Sequence, residues 1–229
     1  MFHADDPIFF ASSKGAMQHL LNVVSSWARE VGAAFHVGPQ KSIAMVIGSR
    51  PCDAELTFEG CRLAFVDAHR WLGVLWPSSL DFRPYLLSRL HAASSAMAQL
   101  AGMVSSAMLP WYVACELFET KVDSLLASGR WLFCLVTDAE PLINEYYERW
   151  ARLLLGADPW RNPATCMSDV GWQVSGFARV VRAIALRRAS LWLRGASDWH
   201  ASFFLLSQGV EGSWCARSAS LLRDWSVLD

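Results

Sequence analysis

Long apolar runs, a leader segment and an excess of charge of one sign are all missing from this sequence, and each absence excludes a class of protein. No run approaches the roughly 20 apolar residues that a membrane-spanning helix needs. The N-terminal stretch carries Asp5 and Asp6 and has no basic segment, so we do not expect a secretory signal. We therefore predict an intracellular protein, cytoplasmic or nuclear, that is not secreted and does not engage a membrane.

Paired cysteines are also missing. None of the six cysteines forms a Cys-x-x-Cys pair, and the histidines show no metal-ligand spacing. This scatter argues against a zinc ribbon or a disulfide framework and fits a reducing compartment with free thiols. The cysteines are Cys52, Cys61, Cys115, Cys134, Cys166 and Cys215.

The composition is rich in apolar residues instead. The 229 residues are 53% hydrophobic, contain 12 Trp and have a mean hydropathy of +0.23. Such a chain is either richly cored or a piece of a larger protein whose faces are covered, and we favour the second interpretation. The net charge of −1 gives no overall attraction to nucleic acid, and neither an internal repeat nor a low-complexity tract is present.

Two adjacent carboxylates lie between apolar runs at the start of the chain. The runs predict the two arms of a short hairpin, which would place Asp5 and Asp6 at its turn. Carboxylates on a rigid hairpin suit Mg²⁺, which takes few protein oxygens and keeps water and substrate phosphates in its shell. The alternative is a solvated Asp-Asp-Pro turn at the surface.

Four features in this order resemble the palm of a reverse transcriptase, most closely the type encoded by non-LTR (LINE-like) retrotransposons. They are the Phe-x-Ala-Asp-Asp segment at 2–6, an amphipathic helix, the segment Gly-Pro-Gln-Lys-Ser at 38–42, and Trp-Leu-Gly at 71–73. In that family an aromatic-x-Asp-Asp hairpin precedes a helix, an Asn-x-x-Lys-Thr-like segment and a Tyr-Leu-Gly strand. The resemblance covers roughly residues 1 to 155 and is densest in 1 to 80.

The resemblance implies an RNA-directed DNA polymerase that uses a two-metal mechanism. According to this resemblance, Asp5 and Asp6 are catalytic Mg²⁺ ligands. Lys41 lies near the incoming nucleotide and acts as a proton donor to the leaving pyrophosphate. Trp71, Leu72 and Gly73 would seat the end of the primer, and the partners of the intact parent are an RNA template and a DNA primer. From the residues alone, Lys41 is equally a solvated edge residue, and residues 71–73 are equally a buried aromatic with a packing glycine.

The resemblance also implies that this sequence lacks part of the polymerase. The family holds its ions with a further Asp on an earlier strand, and its fingers also precede the Asp-Asp hairpin. In addition, His3 replaces the usual aromatic residue and Pro7 cannot donate a ladder hydrogen bond. We therefore interpret the chain as an inactive fragment that is missing the N-terminal fingers and palm segment, with Mg²⁺ as the cofactor of the intact parent.

The predicted fold class is α+β, with a small antiparallel palm-like sheet and one packed helix, followed by a mostly α-helical thumb and C-terminal region. Three regions are predicted: a partial palm at 1–80, a thumb-like region at 81–155 and a helical extension at 156–229. Helices are predicted from apolar spacing at 14–31, from 83 to near 110, at 111–127, 143–155, 176–194 and 218–225. Strands are predicted at 33–37, 42–47, 56–58, 63–65 and 71–75.

The predicted helix at 176–194 is basic. Four of its arginines lie off the apolar side, whereas Arg188 projects into the apolar stripe. The four are candidates for weak phosphate contacts, and the alternative is a solvated face. They are Arg179, Arg182, Arg187 and Arg194. Two further function classes therefore stand beside the polymerase: a non-catalytic nucleic-acid-binding protein, and a helical interaction module with no ligand.

Overall fold

The structure is a computed structural model that describes residues 7–38, 41–48, 55–172, 175–193, 204 and 206–227. The chain folds into two compact units. Unit 1 holds the described part of residues 1–71 together with Leu75–Leu80. Unit 2 holds Leu72–Val74 and the described part of residues 81–229.

Helix α1 of unit 1 spans Lys14–Glu30 and confirms the predicted helix at 14–31. It begins where the Ser13 side chain accepts a hydrogen bond from the backbone N–H of Ala16, as an N-cap residue does. It ends before Gly32, which has a φ of +69° and closes the helix in the left-handed conformation.

Six short strands follow among the residues that the structure describes, and they pair two by two. They are β1 (Ile43–Ala44), β2 (Thr57–Phe58), β3 (Cys61–Arg62), β4 (Ala64–Phe65), β5 (Ala68–Trp71) and β6 (Val74–Pro77). Strand β1 runs parallel to β4, β2 runs antiparallel to β3, and β5 pairs with β6. The sheets are therefore small, and one of the pairs is parallel rather than antiparallel.

The strand predicted at 56–58 is one arm of a hairpin that turns at Glu59 and Gly60, but the other arm is Cys61–Arg62 and not the predicted 63–65, which pairs with β1 instead. Phe58 faces Cys61 across the hairpin, and the two turn residues have φ of 50° and 74°. Paired left-handed residues are what a two-residue hairpin turn requires, because their twist matches that of the strands.

Other predicted strands are wrong or shorter than predicted. Residues 33–37 are irregular, the strand predicted at 42–47 shrinks to Ile43–Ala44, and residues 7–10 form no strand. Apolar alternation alone cannot make a strand, since each strand needs a partner backbone for its hydrogen bonds. Phe35 packs on the ring of Phe58 with centroids 5.1 Å apart, so this apolar segment is used for side-chain packing.

The core of unit 1 lies between α1 and the β2–β3 hairpin. Leu21 packs there with Leu56, Phe58 and Leu63. The Gln18 side chain fixes the register, because its Nε2 donates to the Thr57 carbonyl at 2.8 Å and its Oε1 accepts from the Thr57 N–H at 2.9 Å. One amide side chain thus completes the hydrogen bonding of a strand that has only one neighbour.

Unit 2 is mostly helical. The α-helices of unit 2 whose bounds are described are α2 (Arg83–Ser105), α3 (Trp111–Phe118), α4 (Ser124–Ala127), α5 (Ala139–Leu155), α6 (Pro163–Asp169), α7 (Ala178–Leu193) and α8 (Trp214–Asp224). A π-helical turn at Glu119–Asp123 joins α3 to α4, and Arg130–Leu135 form a 3₁₀ helix. The helical stretch predicted at 111–127 ends at Ala127 as predicted, and Gly129 follows it with a φ of +69°.

Helix α6 was not predicted from the sequence. Asn162 caps it by accepting from the N–H of Ala164 at 2.9 Å, and Pro163 occupies its first turn. The helix lies near the start of the predicted helical extension at 156–229, and it packs on α5. The division of the chain at residue 156 stays a prediction.

The largest buried side chains of unit 2 come mostly from α2 and α5, and the others from the residue before α2, the end of α3, the 3₁₀ helix and α6. They are Trp150, Tyr85, Tyr147, Phe82, Phe118, Phe133, Leu86, Leu90, Met97, Ile143, Leu154 and Met167. The predicted fold class, α+β with small sheets and a mostly helical remainder, is confirmed. Within the described ranges, no helix combines the length and the apolar character that crossing a bilayer requires.

Candidate functional site

Three of the predicted site residues lie outside the described residues. These are Asp5 and Asp6, the expected metal ligands, and Arg194 at the end of the basic helix. Among the residues that the structure does describe, no three His, Cys, Asp or Glu side chains gather closely enough to hold a metal ion. The metal site therefore stays a prediction on Asp5 and Asp6.

Lys41 lies in a tight turn just before β1. Its backbone N–H donates to the carbonyl of Gly38 at 3.0 Å, and the N–H of Ser42 donates to the same oxygen at 3.1 Å. The Ser42 hydroxyl closes the turn further by donating to the His36 carbonyl at 3.1 Å. The backbone of the turn is fixed in this way, and the Lys41 side chain is exposed.

Residues 71–73 form the end of β5 and a two-residue turn, not the continuous strand that the sequence predicted. Leu72 and Gly73 have φ of 48° and 79°, so both turn residues are left-handed. The apolar run misled the prediction, because a hairpin turn usually carries a polar residue such as Asn where this chain has Leu72. The correction places Leu72 at the tip of the β5–β6 hairpin.

The turn is held by a buried tyrosine of α2. The Tyr85 hydroxyl donates to the carbonyl of Ser128 at 2.9 Å and also lies 3.3 Å from the carbonyl oxygen of Gly73. Packing leaves little room there, since a Cβ at Gly73 would lie 3.1 Å from the Ser128 Oγ and a Cβ at Gly129 would lie 3.0 Å from the Tyr85 ring. The backbone of the turn is therefore rigid.

The side chains of the turn differ in exposure. Leu72 is 46% exposed, although it is apolar and in an unfavourable backbone conformation. Trp71 is half-buried, and its indole nitrogen is buried without a hydrogen-bond partner among the described residues. A rigid turn thus presents one exposed apolar side chain.

The basic helix α7 does not present all of its arginines to solvent. Arg179 pairs with Glu119 at 2.7 Å and with the buried Asp123 at 3.2 Å, and its guanidinium lies 5.7 Å from the centre of the Phe118 ring. Arg179 is therefore engaged in the packing of unit 2. We do not include it in a nucleic-acid contact.

Arg188 projects into the apolar side as predicted, and it is 6% exposed. It donates to the carbonyl of Cys215 at 2.9 Å and to the Ser218 hydroxyl at 2.8 Å, which joins α7 to α8. Arg182 and Arg187 are exposed, and Arg187 lies over the Trp131 ring at 5.3 Å. Among the described residues of α7, Arg182 and Arg187 are therefore the arginines that form an exposed basic surface.

A buried polar network was missed by the sequence analysis. The Asp123 carboxylate accepts from the Tyr147 hydroxyl, pairs with Arg130 at 2.8 Å and also meets Arg179. Burial, reinforced by the negative charge of Asp123, raises the pKa of Tyr147. The π-helical turn that ends at Asp123 brings the carboxylate inward, and periodicity counted at 3.6 residues per turn cannot reveal such a turn.

The members of this network pair with one another and join the π-helical turn to α5 and α7. Two surface depressions among the described residues of unit 1, about 260 and 390 Å³ in volume, are lined by residues of α1 and of the segment from β2 to β4, and by none of the predicted site residues. The feature that remains as a candidate site is the turn at residues 71–73.

Comparison with known proteins adds no relative: no protein-family model, no curated protein and no solved structure matches this chain.

Proposed function

We propose that this chain carries the late palm and thumb of a retroelement reverse transcriptase of the LINE-like type, whose intact form performs RNA-directed DNA synthesis. The order of the motifs supports this proposal. Asp5 and Asp6 precede α1, Lys41 precedes β1, and the Trp-Leu-Gly segment at 71–73 precedes a helical unit.

The observation that carries the proposal is the turn at residues 71–73. A group that seats the end of a primer needs a fixed backbone and an apolar surface for the terminal nucleotide. Leu72 supplies exposed apolar surface, and Tyr85 fixes the turn from below. In this proposal Trp71, Leu72 and Gly73 contact the primer end.

The remaining roles follow the family resemblance. Asp5 and Asp6 would hold Mg²⁺, which activates the primer 3′-oxygen and neutralises the leaving phosphates when bound. The exposed Lys41 would donate a proton to the pyrophosphate. Two carboxylates supply at most half of such a cage, and without metal their mutual repulsion favours keeping one proton. We propose that these 229 residues alone do not polymerise.

Primer binding is tested with a fluorescent DNA primer annealed to a longer RNA template, titrated with the purified chain at fixed salt. We expect binding that weakens several-fold in Leu72→Ser. Leu80→Ser is the matched control, because Leu80 is also an exposed leucine with positive φ, 44% exposed at φ 57°. Absence of binding, or equal weakening in both variants, would refute the role of the turn.

Catalysis is tested by primer extension with Mg²⁺ or Mn²⁺. We expect no extension by the chain alone. Template-dependent extension that is lost in Asp5→Ala would show that these residues hold a complete active site, and the inactivity proposal would then be wrong while the family proposal would gain support.

A second candidate, a nucleic-acid-binding protein without catalysis, is favoured by the exposure of Arg182 and Arg187 on α7. Phosphate contacts make affinity fall steeply as salt rises. If this candidate is correct, replacing both arginines with Ala lowers the salt slope, whereas Leu72→Ser has no effect. Arg149→Ala is the control, since Arg149 is exposed on α5 and pairs with Glu145.

A further inference from the structure

Gly73, in the turn at residues 71–73, packs against a two-residue segment that joins α4 to the 3₁₀ helix. This segment consists of Ser128 and Gly129, and we call it the 128–129 segment. A Cβ at Gly73 would lie 3.1 Å from the Ser128 Oγ, and a Cβ at Gly129 would lie 3.1 Å from the Val74 Cγ2. The segment therefore touches Gly73 and the residue that follows it. Because the contacts are tight, a shift of the segment must shift the turn.

Asp123 and Arg130 lie on the two sides of the 128–129 segment in the chain, and they pair with each other. The Arg130 Nη2 donates to the backbone carbonyl of Asp123 at 2.8 Å and lies 2.8 Å from its Oδ2. Arg130 directly follows Gly129, so this pair closes residues 123–130 into a loop. The two side chains are shielded from water, with exposed fractions of 13% for Arg130 and 8% for Asp123. The position of the 128–129 segment thus depends on the pair.

The buried network around Asp123 keeps this pair in one geometry. The Asp123 carboxylate also accepts from the Tyr147 hydroxyl and lies 3.2 Å from Arg179, which holds it in place beside Arg130. A buried ion pair adds little stability compared with apolar residues of the same size, and fixing one arrangement of the chain is a role that such pairs have in other proteins. Arginine suits this role, because its planar guanidinium presents several N–H donors in a fixed arrangement.

We propose that Arg130 and Asp123 are positioning residues for the turn at residues 71–73. Their pair fixes the 128–129 segment, and that segment fixes the backbone of the turn. Neither residue contacts the primer in this proposal. The consequence for primer binding rests on the proposed function of the turn, whereas the positioning itself is a property of the free chain and is measured without primer.

Amide hydrogen exchange of the full chain, followed by mass spectrometry, tests the positioning. In Arg130→Met the guanidinium is lost, but Asp123 keeps Arg179 and Tyr147 as partners, so the variant is expected to fold. We expect the peptide that contains Leu72–Val74 to exchange at least about threefold faster than in the parent chain. Arg130→Lys keeps the charge and is expected to restore part of the protection.

Arg179→Met is the matched control. Arg179 also pairs with Asp123 and has a side chain that is 18% exposed, but it lies on α7 and outside residues 123–130. The control removes one guanidinium from the same carboxylate, so we expect a comparable loss of stability. Exchange at the turn is expected to stay as in the parent chain. A purely structural role of the network would instead speed exchange equally in both variants.

Titration of the same variants with the DNA primer annealed to its RNA template tests the consequence for binding. We expect the dissociation constant to rise about threefold to tenfold in Arg130→Met and less than about twofold in Arg179→Met.

The outcomes separate the positioning role from the proposed function. Unchanged exchange in Arg130→Met, or equal acceleration in Arg179→Met, would overturn the positioning role. Faster exchange in Arg130→Met alone, with no primer binding by the parent chain, would support the positioning role and refute the proposed function. Faster exchange that leaves the affinity for the primer unchanged would overturn the link between the pair and primer binding.

Discussion

Leu72 has a backbone conformation that leucine rarely adopts. Its φ of 48° brings the Cβ close to the following carbonyl, at a cost of roughly 1–2 kcal/mol for a side chain other than glycine. Asn tolerates this region better and is common at such turns. We therefore expect Leu72→Asn to raise the free energy of unfolding by about 0.5–1 kcal/mol.

Urea denaturation measures this change, and the primer titration measures its functional consequence. If Leu72 is retained for contact with the primer, the same substitution lowers affinity while it raises stability. A variant that is less stable than the parent chain would show that packing, rather than function, explains the leucine.

Tyr147 makes stability depend on pH at the alkaline end. Burial and the charge of Asp123 raise its pKa in the folded chain above the ordinary value of 10.0. Above that pH the folded state therefore keeps a proton that the unfolded state loses. The contribution of Tyr147 to the free energy of unfolding is complete below pH 10 and declines as the pH rises further. We expect the free energy of unfolding to fall with pH above about 10 and to fall less steeply in Tyr147→Phe.

Denaturant titrations at pH 8, 9, 10 and 11 test this prediction. The variant loses one buried hydrogen bond, which lowers its stability at every pH by about 1–3 kcal/mol. The readout is therefore the slope against pH and not the absolute value. Parallel curves for the two proteins would contradict the prediction.

At the scale of the element, apolar spacing and cap residues predicted the long helices because those features act locally. Ser13 and Gly32 mark the ends of α1 in the sequence, and the structure places the helix between them. The strands were predicted poorly, since pairing depends on distant backbone. The parallel pairing of Ile43 with Ala64, for example, has no local signal.

The candidate site shows the same limit. The sequence singled out residues 71–73 but predicted a strand there, and it could not show that the Tyr85 hydroxyl lies 3.3 Å from the Gly73 carbonyl oxygen. It also grouped Arg179 with the exposed arginines of α7, because a helical projection places it on the polar side. In the structure, the Arg179 guanidinium instead pairs with Glu119 and Asp123, which lie on the π-helical turn between α3 and α4.

Gly176 lies just before α7, and its backbone is packed closely against a ring from another helix. The sequence alone does not reveal such a contact. A Cβ at this position would collide with the Cγ of Tyr147. We expect Gly176→Ala to destabilise the chain by about 1–3 kcal/mol, because the ring is buried and cannot move freely. The neighbouring Asn144 side chain also ties this segment to α5, accepting from the Phe177 N–H at 3.0 Å.

Gly102→Ala is the matched control for this substitution. Gly102 lies within α2, and a Cβ there meets nothing within 4 Å. Helix propensity then favours Ala by about 0.5–1 kcal/mol. Thermal denaturation of both variants gives the comparison, and equal effects would show that the contact with Tyr147 is not limiting.

At the scale of the whole molecule, the two units differ in how they are built. Unit 1 has strands of two to four residues and a core centred on Leu21, Leu56, Phe58 and Leu63. Unit 2 buries long helices against each other, and α2 alone buries seven residues. Isolated two-stranded pairs are marginal in water, so unit 1 depends on the packing of one helix.

We therefore expect the two units to open at different free energies, with unit 1 opening first. Native-state hydrogen exchange followed by mass spectrometry measures this directly, by comparing amides of Lys14–Glu30 with those of Arg83–Ser105 as denaturant rises. Leu21→Ala and Leu90→Ala, at residues that are 4% and 0% exposed, each remove buried apolar volume at a cost of about 2–5 kcal/mol. Each is expected to speed exchange in its own unit. A single transition shared by both helices, moved equally by either substitution, would show that the units fold as one cooperative body.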